Sequence, residues 1–139
     1  DRLMTILLDQ VFSASTEALA GLRDAVRRAC QQARCTDECR EQVVLAINEA
    51  CMNVIQHGYN FAEGKQFTLR MGLDDGVLII HLLDNAWPVS DAQLRPRAFD
   101  QLRPGGLGVH FMRELMDSVV YVQAADGFAN CLQLSKRIY

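Results

Sequence analysis

The sequence lacks the features that mark membrane-spanning, secreted and nucleic-acid-binding proteins. No apolar run reaches the roughly 18 residues that a transmembrane helix needs. The N-terminal segment, DRLMTILLDQVF, has no basic region followed by a long apolar stretch, so we expect no signal peptide. The formal net charge of -3 gives no excess of positive charge for binding nucleic acid. We therefore expect a cytoplasmic protein with no membrane or nucleic-acid partner.

Cysteine pairs at metal-binding spacing are absent as well. The chain has five cysteines and no Cys-x-x-Cys pair. Cys35 and Cys39 are four residues apart, but no second ligand pair follows at zinc spacing. The odd number also argues against a disulfide framework. We expect free thiols in a reducing cytoplasm at all five positions, which are Cys30, Cys35, Cys39, Cys51 and Cys131.

The composition is that of an ordinary globular domain. The chain has 139 residues, of which 50% are hydrophobic and 22% are charged. This length is enough to bury a substantial core without cross-links. The sequence has no internal repeat and no low-complexity segment. We expect one domain spanning residues 1–139.

The first half of the chain predicts a strand followed by two helices. The segment LMTILLDQVF predicts one strand or a pair of short strands. Apolar residues at helical spacing then follow Ser15, a candidate N-cap. A second helix is predicted from its N-cap Thr36 to about Gly58, a candidate C-cap. Its apolar stripe is expected to face a sheet and consists of Val43, Ile47, Ala50 and Val54.

The second half predicts two hairpins separated by a loop and a helix. Residues 66–73 and 77–84 predict strands joined by a turn at Asp74-Asp75-Gly76. The proline-containing segment 85–106 precedes a helix, and a second hairpin surrounds Ala125-Asp126-Gly127. This order predicts an α+β fold. We expect a two-layer sandwich with a mixed, mostly antiparallel sheet and helices on one face.

Polar residues interrupt the second helix at a regular interval. Glu49, Asn53 and His57 are four residues apart, so an α-helix would align them along one edge of its apolar stripe. Taken alone, such a row is typical of a solvated helix flank. Asp84 ends an apolar strand, and glycines precede the later helix, whose N-terminal N–H groups can bind phosphate.

These motifs together resemble a known family. The segments NEACMNVIQHGY, LLDNAWP and PGGLGVHFMRELMD are similar to the ATP-binding domain of gyrase-, Hsp90-, histidine-kinase- and MutL-type (GHKL) ATPases. Within that superfamily they most resemble the small bacterial anti-sigma factor serine kinases. The resemblance covers nearly the whole chain and implies a histidine-kinase-like ATPase fold.

The resemblance assigns roles to residues by their positions in the motifs. Glu49 is the expected catalytic base, which accepts the proton of an attacking serine hydroxyl. Asn53 is expected to bind ATP and to offer its carbonyl oxygen to Mg²⁺. Asp84 is expected to accept a hydrogen bond from the adenine amino group, which disfavours guanine. The other expected ATP-binding residues are His57, Ala86, Gly105, Gly106, Leu107, Gly108 and Val109.

The resemblance also assigns roles to two segments and leaves two roles open for His57. Backbone N–H groups of residues 105–109 are expected to bind the β- and γ-phosphates, and residues 85–104 to form a lid over the nucleotide. His57 either contacts the ligand or packs and caps the helix.

The resemblance also implies partners. We expect a serine kinase that uses ATP and Mg²⁺ to phosphorylate a serine of a STAS-type anti-sigma factor antagonist. In its other state it would hold a sigma factor or a comparable regulatory target. We expect a homodimer, with the first strand and helix at its interface.

Two departures from the family pattern leave a second function open. Ala86 replaces the last glycine of Asp-x-Gly, and Ala129-Asn130 replaces Gly-Thr in the last strand, which predicts the loss of a contact there. The alternative is a non-catalytic switch that sequesters a partner with or without ATP. A fragment of a sensor histidine kinase and a simple ATP hydrolase are less well supported, because no phosphoacceptor or transducer domain is recognised.

Overall fold

The computed structural model describes residues 4–86, 107–124 and 127–139, with side chains from residue 110 onward in the helix that begins at residue 107. The elements follow one another along the chain as a strand, two helices, a hairpin, a third helix and a second hairpin. Their bounds are β1 Thr5–Ser13, α1 Leu19–Gln32, α2 Asp37–Asn53, β2 Gln66–Asp74, β3 Val77–Asp84, α3 Leu107–Leu115, β4 Ser118–Val122 and β5 Asn130–Arg137. A short 3-10 turn, Thr16–Ala18, precedes α1, and a π-helical turn, Val54–Gly58, continues α2.

The five strands form one sheet in the order β1-β2-β3-β5-β4. Each neighbouring pair is antiparallel. The predicted α+β fold is therefore confirmed, and the described sheet is entirely antiparallel rather than mixed. β3 is the central strand, and its last residue, Asp84, lies opposite Phe67 of β2 and Asn130 of β5.

One face of the sheet and the helices share a single core. Alternate residues of β3, Ile80 and Leu82, are buried on the core face together with Leu69 of β2. Asp84 continues this alternation, so its side chain points toward the helices rather than away from them. In α2, the predicted stripe is buried at Val43, Ile47 and Ala50 and half-buried at Val54.

The corner between α1 and α2 ends one helix and caps the next. Cys35 N–H donates to Cys30 O at 3.1 Å, and Arg34 N–H donates to Gln31 O at 3.0 Å. These two bonds form a Schellman motif, in which Arg34 takes the left-handed conformation (φ 63) that usually selects glycine. Thr36 Oγ1 then accepts a bond from Cys39 N–H at 3.1 Å, which confirms the predicted N-cap.

The hairpin between β2 and β3 turns at the predicted residues. Asp75 and Gly76 both have positive φ, 51 and 79. A side chain at Gly76 would also meet Tyr139 O, since an added Cβ would lie only 2.5 Å from that oxygen. The glycine is therefore required both by the turn and by the approach of the C-terminal residue.

Within the described residues, no helix is both long enough and apolar enough to cross a membrane.

Candidate functional site

The middle of α2 places two of the predicted site residues on its flank. Glu49 and Asn53 are both half-buried, next to Ala50, which is in the core. The Oε1 atom of Glu49 is shielded from solvent. A carboxylate and an amide thus lie one helical turn apart at the border between core and surface, as the sequence predicts.

The end of α2 departs from the α-helical spacing that predicted His57 in line with Glu49 and Asn53. Tyr59 N–H donates to Val54 O at 2.8 Å, a bond across five residues that defines a π turn. His57 lies within this turn, so its direction does not follow from α-helical spacing. His57 is exposed. Its predicted contact with a ligand stays a prediction.

The predicted C-cap at Gly58 is wrong. Gly58 lies inside the π turn, and the C-cap position is taken by Tyr59 in a right-handed conformation. The left-handed conformations come later, at Asn60 (φ 52) and Phe61 (φ 59). The helix ends this way because the widened turn places the reversal of the chain two residues beyond the glycine.

Asp84 is a buried carboxylate at the end of the central strand. Asp84 is 5% exposed. Its Oδ1 accepts two hydrogen bonds. The donors are Ala86 N–H and Asn130 Nδ2, each at 2.9 Å. Burial raises the pKa of Asp84, and these two bonds oppose that rise because they stabilise the ionised form.

Asn130 is one of the positions where the chain departs from the family pattern. The sequence predicts the loss of a contact with phosphate or with a residue that supports the site. The phosphate part stays a prediction, and the structure shows that Asn130 Nδ2 donates to Asp84 Oδ1. Asn130 is itself buried, at 6% exposure. The polar pair is therefore enclosed on the core face of β3 and β5, where an unmatched carboxylate would be costly.

Tyr59 connects the end of α2 to the two strands beside it. Its hydroxyl accepts a bond from Asn85 N–H at 2.9 Å and donates to Gln66 O at 2.8 Å. Burial raises the pKa of Tyr59, which favours the protonated hydroxyl that this donation requires. Asn85 is also held from the other side, because its Oδ1 accepts a bond from Ala129 N–H at 2.8 Å. The chain leaving β3 is therefore fixed on both sides.

Ala86 fits where the family pattern has glycine. Its φ is not positive, so the backbone here does not require glycine. Ala86 is 7% exposed, and a Cβ added to Gly58 would lie 3.1 Å from the Ala86 Cβ. The two small residues are complementary: Gly58 has no side chain at the point where the methyl group of Ala86 lies against the π turn.

The glycine-rich segment is only partly described. Gly105 and Gly106 lie outside the described residues, as do residues 87–104 of the predicted lid. Leu107, Gly108 and Val109 form the first turn of α3, which packs against α2. A helix N-terminus therefore follows the glycines, as the sequence predicts, while phosphate binding there stays a prediction.

Three residues near Asp84 were missed by the sequence reasoning as members of this site. Tyr59, Gly58 and Tyr121 have no spacing or motif that connects them with the end of β3. The pKa of Tyr121 is raised by burial and, to a lesser degree, by the charge of Asp84. The available signal was Gly58-Tyr59 at the end of the motif NEACMNVIQHGY, since a residue without a side chain at a helix end permits close packing.

Comparisons with known proteins identify the family of the domain. A family of histidine kinase-like ATPase domains matches residues 12–136 of the chain. The serine-protein kinase RsbW of Bacillus licheniformis is 34% identical over 87 residues, which cover 57% of this chain and 54% of that protein. RsbW of Bacillus subtilis (strain 168) is 31% identical over 87 residues, with the same coverage. The chain spans about half the length of the curated relatives it matches.

A solved structure supports the fold. The crystal structure of the RsbU and RsbW domains of a Mycobacterium tuberculosis protein superposes with a TM-score of 0.66 at 17% identity. The match covers 94% of this chain and 31% of that one. The resemblance drawn from the sequence motifs is confirmed, and the chain belongs to the histidine kinase-like ATPase domain family.

Proposed function

We propose that the chain is an ATP-dependent protein serine kinase that also sequesters a regulatory partner. The observation that carries this proposal is the geometry of Asp84. Its Oδ1 accepts the bonds from Ala86 N–H and Asn130 Nδ2, which fix the orientation of the carboxylate. The other oxygen of a carboxylate oriented in this way can accept a hydrogen bond from the amino group of adenine. Guanine has a carbonyl at that position and would be repelled.

The flank of α2 supplies groups suited to phosphoryl transfer. Glu49 would take the proton of the substrate serine as its oxygen attacks the terminal phosphate. Glu49 is half-buried, and its Oε1 is shielded from solvent. Residues 105–109 would bind the phosphates through backbone N–H groups.

Asn53 fits a Mg²⁺ site with few protein ligands. Its amide oxygen is a hard donor of the kind that this ion prefers, and Mg²⁺ usually keeps several waters and substrate phosphates as its other ligands. When bound, the ion would neutralise phosphate charge. Asn53 would orient it one turn away from Glu49.

The partners follow from the relatives. Matches to proteins named serine-protein kinases support a protein substrate, and a STAS-type anti-sigma factor antagonist with a reactive serine is the proposed one. A sigma factor or a comparable regulator is the proposed target in the other state, in the cytoplasm. Such switching requires that nucleotide or phosphorylation change the relative affinity for the two partners.

A homodimer is proposed through the first strand. β1 lies at the edge of the sheet, where its outer backbone groups have no neighbouring strand in the described sheet. Ile6 and Val11 on this strand are 66% and 56% exposed. Exposed apolar side chains on a long edge strand favour association with another chain.

Nucleotide binding is the first test. Titration calorimetry with Mg-ATP and Mg-GTP would be run on the wild type, Asp84→Ala and Asn53→Ala. We expect micromolar binding of ATP, about -8 kcal/mol, preference over GTP, and loss of binding in both variants. The matched control is Asn48→Ala, because Asn48 lies on α2 but accepts a bond from Arg23 of α1 at 3.0 Å. No ATP binding by the folded wild type would overturn the proposal.

Phosphoryl transfer is the second test. Glu49→Gln is expected to lower transfer to a STAS-type antagonist by about 10²–10⁴-fold with the ATP affinity unchanged. Glu41→Gln is the control, since Glu41 pairs with Arg27 on the α1 side of the same helix. If ATP binds but neither the wild type nor the variant transfers phosphate, the chain is the non-catalytic switch.

A further inference from the structure

Three of the five cysteines meet at the corner between α1 and α2. Cys30 lies in the last turn of α1, Cys35 in the connection and Cys39 in the first turn of α2. All three are free thiols. Their sequence positions gave no sign of this cluster, because they match no zinc or redox spacing.

The backbone of the corner brings Cys30 and Cys35 together. The 3.1 Å bond from Cys35 N–H to Cys30 O is the bond of the Schellman motif that spans more residues. In this motif the side chains of the two bonded residues commonly contact each other across the helix end. Disulfides need Cα atoms about 4.4–6.8 Å apart with Cβ atoms facing each other. The backbone hydrogen bond places Cys30 and Cys35 close together at the helix end, as a disulfide requires.

The side chains complete the arrangement. The Cys35 thiol interacts with the thiols of both Cys30 and Cys39. Cys30 has no exposed surface, whereas Cys35 and Cys39 are half-buried. Cys35 is therefore both accessible to a small oxidant and in contact with an enclosed second thiol.

Burial favours an uncharged product over a thiolate. It raises the pKa of Cys30, and it raises that of Cys35 to about 11. A metal site would require thiolates, and the described residues contain no group of three ligands placed to hold a metal ion. A disulfide carries no charge, so burial does not oppose it.

We propose that this corner is an oxidation site, at which a hydroperoxide such as hydrogen peroxide converts Cys30 and Cys35 into a disulfide. Cys35 first loses its proton, and the thiolate attacks one peroxide oxygen. The O–O bond breaks, and the departing hydroxide takes up a proton and leaves as water, which gives a sulfenic acid. Because burial raises the pKa of Cys35 to about 11, the reaction should be faster above neutral pH. The Cys30 sulfur then attacks the Cys35 sulfur, the S–S bond forms, and the S–O bond breaks with release of a second water. The two thiols lose two electrons and two protons in total, and the peroxide is reduced to two waters.

The disulfide would close a short loop that contains residues 31–34. A loop of this size removes little entropy from the unfolded chain, so the effect on stability is expected to be small. A dithiol would reverse it by exchange. The site is independent of the nucleotide site, which lies at the other end of α2.

Peptide mapping tests the pairing directly. The full chain is treated with hydrogen peroxide, alkylated and digested with trypsin. Cleavage after Arg28, Arg34 and Arg40 separates Cys30 from Cys35 and leaves Cys35 and Cys39 on one peptide. We expect residues 29–34 and 35–40 to be recovered as one cross-linked species that dithiothreitol separates, with the intact chain lighter by two thiol hydrogens.

Single variants assign the two sulfur atoms. Cys39→Ser should retain the cross-link, whereas Cys35→Ser and Cys30→Ala should lose it. Cys51→Ala is the matched control, since Cys51 is a fully buried thiol for which burial is the one cause of the raised pKa. It should retain the cross-link. Cys35→Ser removes a half-exposed thiol, so it tests the pairing even if the buried Cys30→Ala fails to fold.

Three results would overturn the proposal. They are a disulfide between Cys35 and Cys39 within one peptide, a cross-link between two chains, and oxidation of single cysteines to acids without any disulfide.

Discussion

The two ends of α2 are built in different ways. Its start is regular, with a side-chain cap at Thr36 and ion pairs from Arg40 to Asp37 and from Arg27 to Glu41. Its end is irregular: the helix widens into a π turn and packs Gly58 against Ala86. The regular end makes contacts mainly with itself and α1, whereas the irregular end is joined to β2 and the exit of β3.

This difference shows where the helix contributes stability and where it positions other groups. Caps and exposed ion pairs favour the helix itself and are worth little beyond it. A π turn interrupts regular helical hydrogen bonding and is frequent at functional sites. Here the π turn is followed by Tyr59, whose hydroxyl fixes the backbone after Asp84. Changes at the two ends should therefore separate stability from nucleotide binding.

Asp84→Asn should produce the largest effect. It should abolish ATP binding and raise the stability of the fold. The asparagine Oδ1 can still accept the bonds from Ala86 N–H and Asn130 Nδ2. Its Nδ2 replaces the acceptor proposed for adenine, so ATP binding should be lost in calorimetry.

The stability of the same variant depends on pH. The pKa of Asp84 is raised in the folded chain, so the folded carboxyl binds a proton more readily than the unfolded one. The stability that Asp84 contributes is present below its ordinary pKa of 3.8 and is lost as pH rises through the folded value. Asp84→Asn should thus melt at a higher temperature than the wild type at neutral pH, with the gain shrinking toward pH 4 (roughly the ordinary carboxyl pKa). Asp9→Asn, at an exposed ion pair with Arg70, should show no such gain.

Tyr59→Phe should lower both the stability of the fold and the affinity for ATP. It removes the donor to Gln66 O and the acceptor for Asn85 N–H, which costs about 2 kcal/mol of unfolding free energy. With the backbone after Asp84 less fixed, ATP affinity should fall about tenfold, or about 1.4 kcal/mol. Urea unfolding and calorimetry measure the two. An unchanged ATP affinity in a destabilised variant would show that Tyr59 acts on stability alone.

Gly58→Ala and Ala86→Gly should be coupled. An added methyl at Gly58 would lie 3.1 Å from the Ala86 Cβ, so the neighbour must move. In a double-mutant cycle the Gly58→Ala change should be less destabilising when combined with Ala86→Gly, by about 1 kcal/mol. Additive changes would mean that the two positions do not determine each other.

Thr36→Ala should have the smallest effect and change the stability of the fold alone. Loss of the bond from Cys39 N–H should cost about 1 kcal/mol of unfolding free energy. The cap lies at the far end of α2, so the ATP affinity should stay at the wild-type value. A fall in affinity would erase the distinction between the two ends.

The regular parts of the fold were predictable because local patterns determine them. The cap at Thr36, the turn at Asp75-Gly76 and the alternation that buries Asp84 each follow from a few neighbouring residues. The predicted strand bounds of the first hairpin agree with the structure to within a residue.

The contacts around Asp84 were harder to predict because they join distant residues. Asn130 is 46 residues from Asp84, and Tyr59 OH reaches Asn85, 26 residues further on. The π turn was not predictable for a related reason: the spacing of residues through His57 is compatible with a regular α-helix. No residue type marks a π turn as proline or glycine marks a break.

The position of β1 at the sheet edge has a consequence for synthesis of the chain. Asp9 of β1 pairs with Arg70 of β2, 61 residues later. At translation speeds of roughly 5–20 residues per second, about 3–12 s pass before the partner strand exists. α1 and α2 can pack against each other in that interval, because they are close in sequence. An exposed apolar edge strand without its partner favours association with other chains, so the nascent chain is open to aggregation in this interval.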